Sequence, residues 1–547
     1  MSDEKKPKNW LLIYFFGLFY LLVFTALLYN SFNYLDPDFG WHLKTGEQIW
    51  QTHAVPSLNN ENWTLAGTTW VDHEWLANLL TYFISHNLGY VAVSVFFALL
   101  ITGALIIQLL WARKNFLSND RGLLLFLGLQ GLGVYCCLPS FGVRMQEISV
   151  LNLLLLLIII NQYEKNKNYR VLFWLPVLFI FWASLHGGFL IGLFVLGLYA
   201  AVKALEFFLS SRGWVKFLNY QSAIRPRQIA TFLIFAALAL AITFLTPYHA
   251  RLYEFLSGYR DNFYQSHLSE WLGQYIFPFV YRQLVYLEIV ILFFVLVFFG
   301  AFIFQGRDFK KINLWSVALL AVFSALAFKA RRHFPLLFIV SAPILAAFFA
   351  DFLNLPPFSW EKLRTRARWL NIFLVIFISA ALLFSVAAFY FSTSFTNHPE
   401  TAYASDYPYQ AVQFLRAHPE WLAKKMFNEY GWGGYLIWQD PAQKLFCDGR
   451  LPQYPLHGHS LLEEYYEFSD PVKIPAKLKQ YDIGLALVKI KKDKIRIHWW
   501  EEKLMGIKRA DLEKNQQSGF ALADYLRGSS GWQSVYRDNL AEIFIKK

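Results

Sequence analysis

The feature that most constrains this chain is a succession of long apolar runs that carry almost no charge. A helix needs about 20 mostly apolar residues to cross a hydrocarbon core of about 30 Å. Runs of this kind lie near 10–29, 89–111, 121–138, 147–162, 170–185, 188–206, 228–246, 283–304, 312–328, 334–352 and 370–392, so eleven spans are predicted. Those at 147–162 and 170–185 are short, as expected of tilted or partly re-entrant segments. The chain is 56% hydrophobic and only 16% charged, against roughly 25% charged in an average soluble domain. The lysines before Trp10 lead directly into an apolar run too long for a signal-peptide core, which predicts a retained first helix. Aromatic residues at 19% suit two interfacial belts. The net charge of +12 fits basic cytoplasmic loops facing anionic lipid. No basic stripe interleaved with aromatics points to nucleic acid. Cys136, Cys137 and Cys447 are too few for a disulfide framework and read as packing residues.

Orientation follows from Lys and Arg in short loops, which resist translocation. A cytoplasmic N-terminus places Lys5, Lys6 and Lys8, Arg113 and Lys114, and Lys165, Lys167 and Arg170 on the inner side. It does the same for Arg212 to Arg227, Arg307 to Lys311 and Lys362 to Arg368. Loop 30–88, loop 247–282 and everything after about 393 then share the outer compartment. The fold class expected is an α-helical polytopic membrane protein, with residues 1–392 as the transmembrane domain and 393–547 as an extracytoplasmic α/β domain. In that tail, short β-type runs are read at 434–438, 444–447, 483–489, 532–536 and 541–545, the last two as a terminal hairpin.

The informative charges are those that break the orientation rule. Arg144 and Arg331-Arg332-His333 fall on the outer side in very short loops. Ionisable groups at membrane depth pair with one another or with a ligand, and the planar guanidinium suits phosphate oxygens. Pairing with Glu147 or with the acids of loop 30–88, or snorkelling to the interface, is the structural alternative. On the same side lie Asp36, Asp38, Asp72, Glu74, Glu147 and Glu270. Pro37 pushes Asp36 out of the helical region, leaving two carboxylates two residues apart. Such a pair can hold a divalent cation (Mg or Mn), or one member can take a proton from a hydroxyl. A plain turn followed by a helix cap has the same pattern, and Asp72 likewise reads as a cap for the helix beginning near Leu76. His42, His73, Trp41, Trp63, Trp70 and Trp75 crowd the same loop, a composition shared by carbohydrate sites and interfacial belts. His186-Gly187-Gly188 reads as a tight turn. No Cys/His group has zinc spacing and no Gly-rich loop cradles a phosphate.

The stretches D-P-D-F-G-W-H-L-K-T-G-E (36–47), W-V-D-H-E-W-L (70–76), V-R-M-Q-E-I-S (143–149), W-A-S-L-H-G-G-F (182–189), S-E-W (269–271) and A-R-R-H-F-P (330–335) resemble the C-type glycosyltransferase superfamily. G-W-G-G-Y-L-I-W (431–438) and F-C-D-G-R (446–450) continue the resemblance, which is nearest to bacterial multi-pass members. It implies a GT-C-like fold in a bacterial plasma membrane and transfer of a sugar from a polyprenyl-phosphate lipid to a glycan, lipid or protein acceptor at the outer face. It further implies Asp36 or Asp38 as base or metal ligand with Glu74 as a supporting acid, and Arg144, Arg331, Arg332 and His333 around the carrier phosphate. His73, His186, Glu147 and Glu270 take supporting places. More weakly, Phe427 to Gly431 is similar to the W-W-D-Y-G of oligosaccharyltransferase catalytic subunits, which brings Glu429 and Tyr430 toward an acceptor. Both tryptophans are absent here and Glu replaces Asp. Two other classes fit the residues: a transporter or flippase of a lipid-linked or anionic solute, and a non-catalytic envelope scaffold.

Overall fold

The computed structural model describes residues 10–117, 120–211, 225–273, 281–303, 314–352, 396–490 and 521–547, with isolated positions between 376 and 387. The expected apolar runs are helical in ten cases, and the run at 370–392 lies, but for those isolated positions, outside the described residues. The first helix, α1, spans Trp10–Asn33, and α2, Phe39–Thr52, lies within the first long loop. Helix α3 spans Trp75–Asn115 and is interrupted at Gly89, whose φ of 82° glycine adopts without strain. There follow α4 (Asp120–Cys137), α5 (Gln146–Asn166), α6 (Trp174–Leu185), α7 (Phe189–Ser211) and α8 (Pro226–Ile242). The short α9 (Arg251–Ser257) and α10 (Asn262–His267) precede α11 (Tyr281–Ile303), α12 (Leu314–Lys329) and α13 (Phe334–Phe352).

Among the described residues, seven helices are long and apolar enough to cross a membrane, and three shorter apolar helices accompany them. The run at 147–162, expected to be short, belongs to a full-length helix of 21 residues, because Gln146 and the polar turn Asn161–Asn166 extend it at both ends. Inside the bundle a chain of amides ties four helices together. Tyr20 donates to Gln130 at 2.8 Å, Gln130 to Gln108 at 2.9 Å, and Gln108 to the carbonyl of Ile339 at 2.8 Å. With no water at that depth, such bonds act as interhelical glue. At the end of α5 and α7 remote from Glu147 and Gly188, buried Lys203 is flanked by Glu164 and Glu206, the pairing expected of charge at membrane depth.

The tail forms a four-stranded sheet in the order β1-β4-β6-β5, together with a separate two-stranded ribbon, β2 (Pro455–Leu456) with β3 (His459–Ser460). Strand β1 (Met426–Asn428) runs parallel to β4 (Leu485–Lys489), and β4 runs antiparallel to β6 (Ala541–Lys546). The terminal hairpin of β5 (Trp532–Arg537) and β6 is present as expected. Two expectations are corrected. Residues 434–438 belong to a helix, Gly433–Gln439, and 444–447 contribute only an isolated bridge between Leu445 and Asn62. At this helix Gly434 abuts the carbonyl of Pro37 and Gly40 abuts that of Gly434; the missing Cβ atoms allow backbone to meet backbone. Tail and first loop therefore pack as one body. Trp63 donates to the carbonyl of Met426 at 3.0 Å, and Tyr407 to that of Leu35 at 2.9 Å.

Candidate functional site

The Asp36-Pro37-Asp38 turn places its two carboxylates in different surroundings. The backbone N–H of Asp38 donates to Asp36 Oδ1 at 2.9 Å, and Asp36 Oδ2 lies 2.6 Å from Arg144 Nε. Asp38 occupies the N-cap position of α2, yet its side chain makes no cap hydrogen bond; Oδ1 accepts the indole N–H of Trp41 at 2.9 Å. Among the described residues Asp38 forms no ion pair. Burial, reinforced by the charge of Asp36, pushes its carboxyl up to about 7, the range in which a carboxylate can serve as a base near neutral pH.

Two further arginines line the same cavity as Asp36, Asp38 and Arg144. Arg331–His333 forms a single 3-10 turn between α12 and α13. Its backbone is fixed to the Ser269-Glu270-Trp271 segment: Arg331 N–H donates to the carbonyl of Leu272 at 3.2 Å, and Arg332 N–H to that of Glu270 at 3.1 Å. The guanidinium of Arg331 donates to Ser269 Oγ at 3.0 Å. That of Arg332 pairs with Glu270 at 2.8 Å and lies 4.4 Å from the Trp271 ring centre. Asp36, Asp38, Arg144, Glu270, Arg331 and Arg332 all line one cavity of about 1020 Å³.

The same cavity continues along α1 past Leu22, Thr25, Ala26 and Tyr29. These positions follow the i, i+3, i+4, i+7 spacing of one helix face. Leu22 and Tyr29 are 45% and 42% exposed, so this apolar end opens at the side of the bundle. The tail closes another side with Tyr430, Gly431, Gly434 and Gly449. Gly449 is held against Asp38 by a buried network in which Arg450 donates to both oxygens of Asp448, at 3.0 and 2.8 Å, and to Asn59 and Asn62 at 3.0 Å.

Behind Asp38 lies a second cavity of about 300 Å³, which shares Asp38, Glu270, Arg332 and Gly449 with the first. In its wall Glu74 stands among three imidazoles: His186 Nε2 at 3.4 Å, His73 Nε2 at 3.5 Å and His42 Nε2 at 3.7 Å. Hydrogen bonding assigns the tautomers. His42 Nδ1 meets Asn78 Oδ1 at 2.6 Å and must donate, because Asn78 Nδ2 is engaged with both oxygens of Asp72 at 2.9 Å. His186 Nδ1 accepts Gly188 N–H at 2.9 Å, so its Nε2 carries the hydrogen toward Glu74. Burial holds Glu74 well above the usual carboxylate range, with Asp72 and Asp38 adding to it. Burial also lowers His42 to about 3, His73 to about 4 and His186 well below its ordinary value. Burial thus disfavours the charged form of Glu74 and of the three imidazoles alike.

The remaining sequence candidates fall as follows. Arg144 takes the loop-acid partner, Asp36, and Glu147 accepts the backbone N–H of Gly142 at 2.6 Å while lining the inner cavity. His333 lines the inner cavity, with Nδ1 committed to the carbonyl of Leu326 at 3.2 Å. Tyr430 lines the larger cavity, whereas Glu429 is not part of either wall. Asp72 is not the cap of α3; that position is Glu74, and Asp72 Oδ1 accepts its N–H at 3.2 Å. His186-Gly187-Gly188 is a turn as expected, and its imidazole also meets Ser149 Oγ at 2.7 Å. Sequence reading missed Gly449 and Tyr264 in both walls, and the convergence of His42 with His186; the glycine of F-C-D-G-R was the available signal. Among the described residues no group of three or more His, Cys, Asp or Glu side chains is arranged to hold a metal. Asp36 is committed to Arg144, and His186 turns a protonated Nε2 toward Glu74, so neither set fits a divalent cation as it stands and no step is routed through one.

Fold and site together define a class: a helical protein with membrane-spanning character, an acid–arginine cavity where its loops gather, and a small α/β unit covering that cavity. No family model matches the sequence, and no curated protein matches it. Among solved structures, the chain is similar to the crystal structure of the Archaeoglobus fulgidus oligosaccharyltransferase in the apo form, at 11% identity and a TM-score of 0.47, over 88% of this chain and 70% of that one.

Proposed function

We propose that the protein is a membrane glycosyltransferase that moves a sugar from a polyprenyl-phosphate-linked donor to an acceptor hydroxyl at the outer face of a bacterial plasma membrane. The observation that carries this reading is the single cavity joining an apolar face of α1 to three arginines and then to Asp38. An amphiphile with a long apolar tail and an anionic head matches that order. The tail lies along Leu22, Thr25, Ala26 and Tyr29, and the phosphate oxygens meet Arg331, Arg332 and Arg144.

In the transfer, Asp38 takes the proton of the acceptor hydroxyl. The acceptor oxygen forms a bond to the anomeric carbon as the bond from that carbon to the phosphate oxygen breaks. The departing electron pair stays on the phosphate, whose growing charge the arginines stabilise by preorganised donors. Asp36 keeps Arg144 in place and, by its charge, keeps Asp38 basic. Glu270 holds Arg332 until a phosphate competes for it.

Mass spectrometry of lipids retained by the purified protein tests the donor. A prenyl-phosphate lipid enriched with the wild type and depleted in an Arg331→Ala/Arg332→Ala variant is expected. Equal retention of phospholipids only, in both proteins, would overturn the reading.

A further inference from the structure

Helix α3 is longer than a bilayer needs. Residues 90–115 make about 39 Å of helix, enough to cross about 30 Å of hydrocarbon, which leaves residues 75–88, about 21 Å more, outside the span. The break at Gly89, with φ 82° and ψ 175°, turns that arm away from the axis of the span. Asn397 caps the break: its Oδ1 lies against Gly89 and accepts the N–H of Val91 at 3.1 Å. Three contacts fix the course of the arm. Glu74, at its start, meets His186 Nε2 just after α6 at 3.4 Å; Thr81 donates to Met145 Sδ just before α5 at 3.8 Å; Tyr90, just past its end, donates to the carbonyl of Ser31 in the last turn of α1 at 3.0 Å. The arm therefore lies across the ends of three helices and does not project from the bundle.

One face of the arm packs inward through the buried Ala77, Asn78 and Thr81. The other is apolar and open: Phe83 is 47% exposed and Leu88 68%. Beside them α2 presents Trp50, itself exposed, with its ring centre 5.7 Å from that of Phe83. The exposed apolar surface then continues into the span at Leu99 and Leu110. Residues 75–90 include no Asp, Glu, Lys or Arg, and the charges that α2 adds, Lys44 and Glu47, pair with each other at 2.7 Å. An uncharged apolar face bordered by an indole, at the level where a span leaves the hydrocarbon, has the composition of a segment that lies in the membrane interface.

We infer that the face formed by Trp50, Phe83 and Leu88 is seated in the bilayer leaflet nearest Asp38, among the headgroups and the first carbons of the acyl chains. Its partner is the phospholipid surface, not a second copy of the chain and not another protein. Burial of apolar area holds it there, so anionic lipid is not required. Asp38 and Glu74 occupy the N-cap positions of the two helices anchored in this way, α2 and α3. The arm thereby fixes the depth of both cavities relative to the headgroups. This inference rests on residues 90–115 spanning the membrane and is independent of the transfer chemistry.

Spin labels on single introduced cysteines test it in the full chain, reconstituted in phosphatidylcholine nanodiscs; Cys136, Cys137 and Cys447 are buried and stay unlabelled. Trp50→Cys, Phe83→Cys and Leu88→Cys report the face from two helices. Leu99→Cys gives the value for a lipid-facing position of the span, and Val472→Cys, at an apolar residue 86% exposed on the C-terminal unit, the value in water. Relaxation of each label by oxygen, which partitions into lipid, is compared with relaxation by a water-soluble nickel chelate. Labels at 50, 83 and 88 are expected to lose most of the chelate relaxation seen at 472 and to keep the oxygen relaxation seen at 99. Chelate relaxation at 83 and 88 equal to that at 472 would put the face in water and overturn the inference. Dipolar broadening between labels on two copies, lost on dilution with unlabelled protein, would put a second copy there and overturn it equally. Both results leave the transferase reading standing, whereas chelate access at 99 would overturn the span and the inference with it.

Discussion

Gly449 of the C-terminal unit lies against the carboxylate of Asp38 in the first loop, so close that a Cβ at position 449 would overlap Asp38 Oδ1. The cavity is thus completed by two segments more than 400 residues apart in sequence. Gly449→Ala is expected to push Asp38 off its position and to lower transfer about 100-fold, the scale of a displacement of about 1 Å at a reacting centre. Donor-lipid binding should change little. Turnover and lipid binding measured on the same preparation check this.

Arg450 supports that placement from behind. It is 4% exposed and Asp448 fully buried, and its guanidinium lies 4.6 Å from the Trp70 ring centre. Lysine cannot reproduce a fork that reaches Asp448, Asn59 and Asn62 together. Arg450→Met is expected to cost about 3–5 kcal/mol, the range for breaking a buried charge pair, and Arg450→Lys, which keeps the charge but not the fork, less. Both should also raise hydrogen exchange in 446–450 and around Asn59 and Asn62, as measured by exchange mass spectrometry.

Asp36 and Asp38 are expected to separate stability from activity. Asp36→Asn strands Arg144, whose Nε lies 2.6 Å from the lost carboxylate, and should lower Tm. Asp38→Asn removes a buried acid that has no ion-pair partner among the described residues and is disfavoured by the charge of Asp36. It should leave Tm unchanged or raise it while abolishing transfer. Thermal unfolding of both variants in the same detergent distinguishes them.

The pH profile follows from the same carboxyl. A base works only when deprotonated, and Asp38 is pushed up to about 7 by burial and by Asp36. Transfer should therefore fall roughly tenfold per unit below that value and level off above it. In Asp36→Asn the carboxyl loses its acidic neighbour, so the midpoint should move to lower pH. Initial rates from pH 5 to 9 check both.

Much of this site was readable in the sequence because charge is costly at membrane depth. The orientation rule marks Arg144, Arg331 and Arg332 as falling on the side that lysines and arginines avoid, and puts Asp36, Asp38 and Glu74 on that same side. The structure gathers these residues in the walls of the two cavities. What was not readable depended on contacts distant in the chain. The apolar run at 434–438 satisfies strand and helix patterns equally, since short runs cannot be assigned by periodicity alone. In the structure it is a helix packed on α2 through the close approach of Gly40 and Gly434. His42, His73 and His186 gave no metal-ligand spacing, and only the packing of α2, α3 and the turn before α7 brings them to Glu74.

The central claim is that Asp38 deprotonates an acceptor hydroxyl while a sugar leaves a lipid phosphate held by arginines. Release of polyprenyl monophosphate from a polyprenyl-phosphate hexose, with the glycosylated acceptor formed in equal amount, tests it in nanodiscs that contain a native envelope extract as acceptor. Wild type is expected to release the lipid phosphate, and Asp38→Asn to do so at least about 100-fold more slowly, as loss of a general base predicts, with donor binding unchanged. Equal release by wild type and Asp38→Asn, or none by a wild type that binds the donor, would contradict the account.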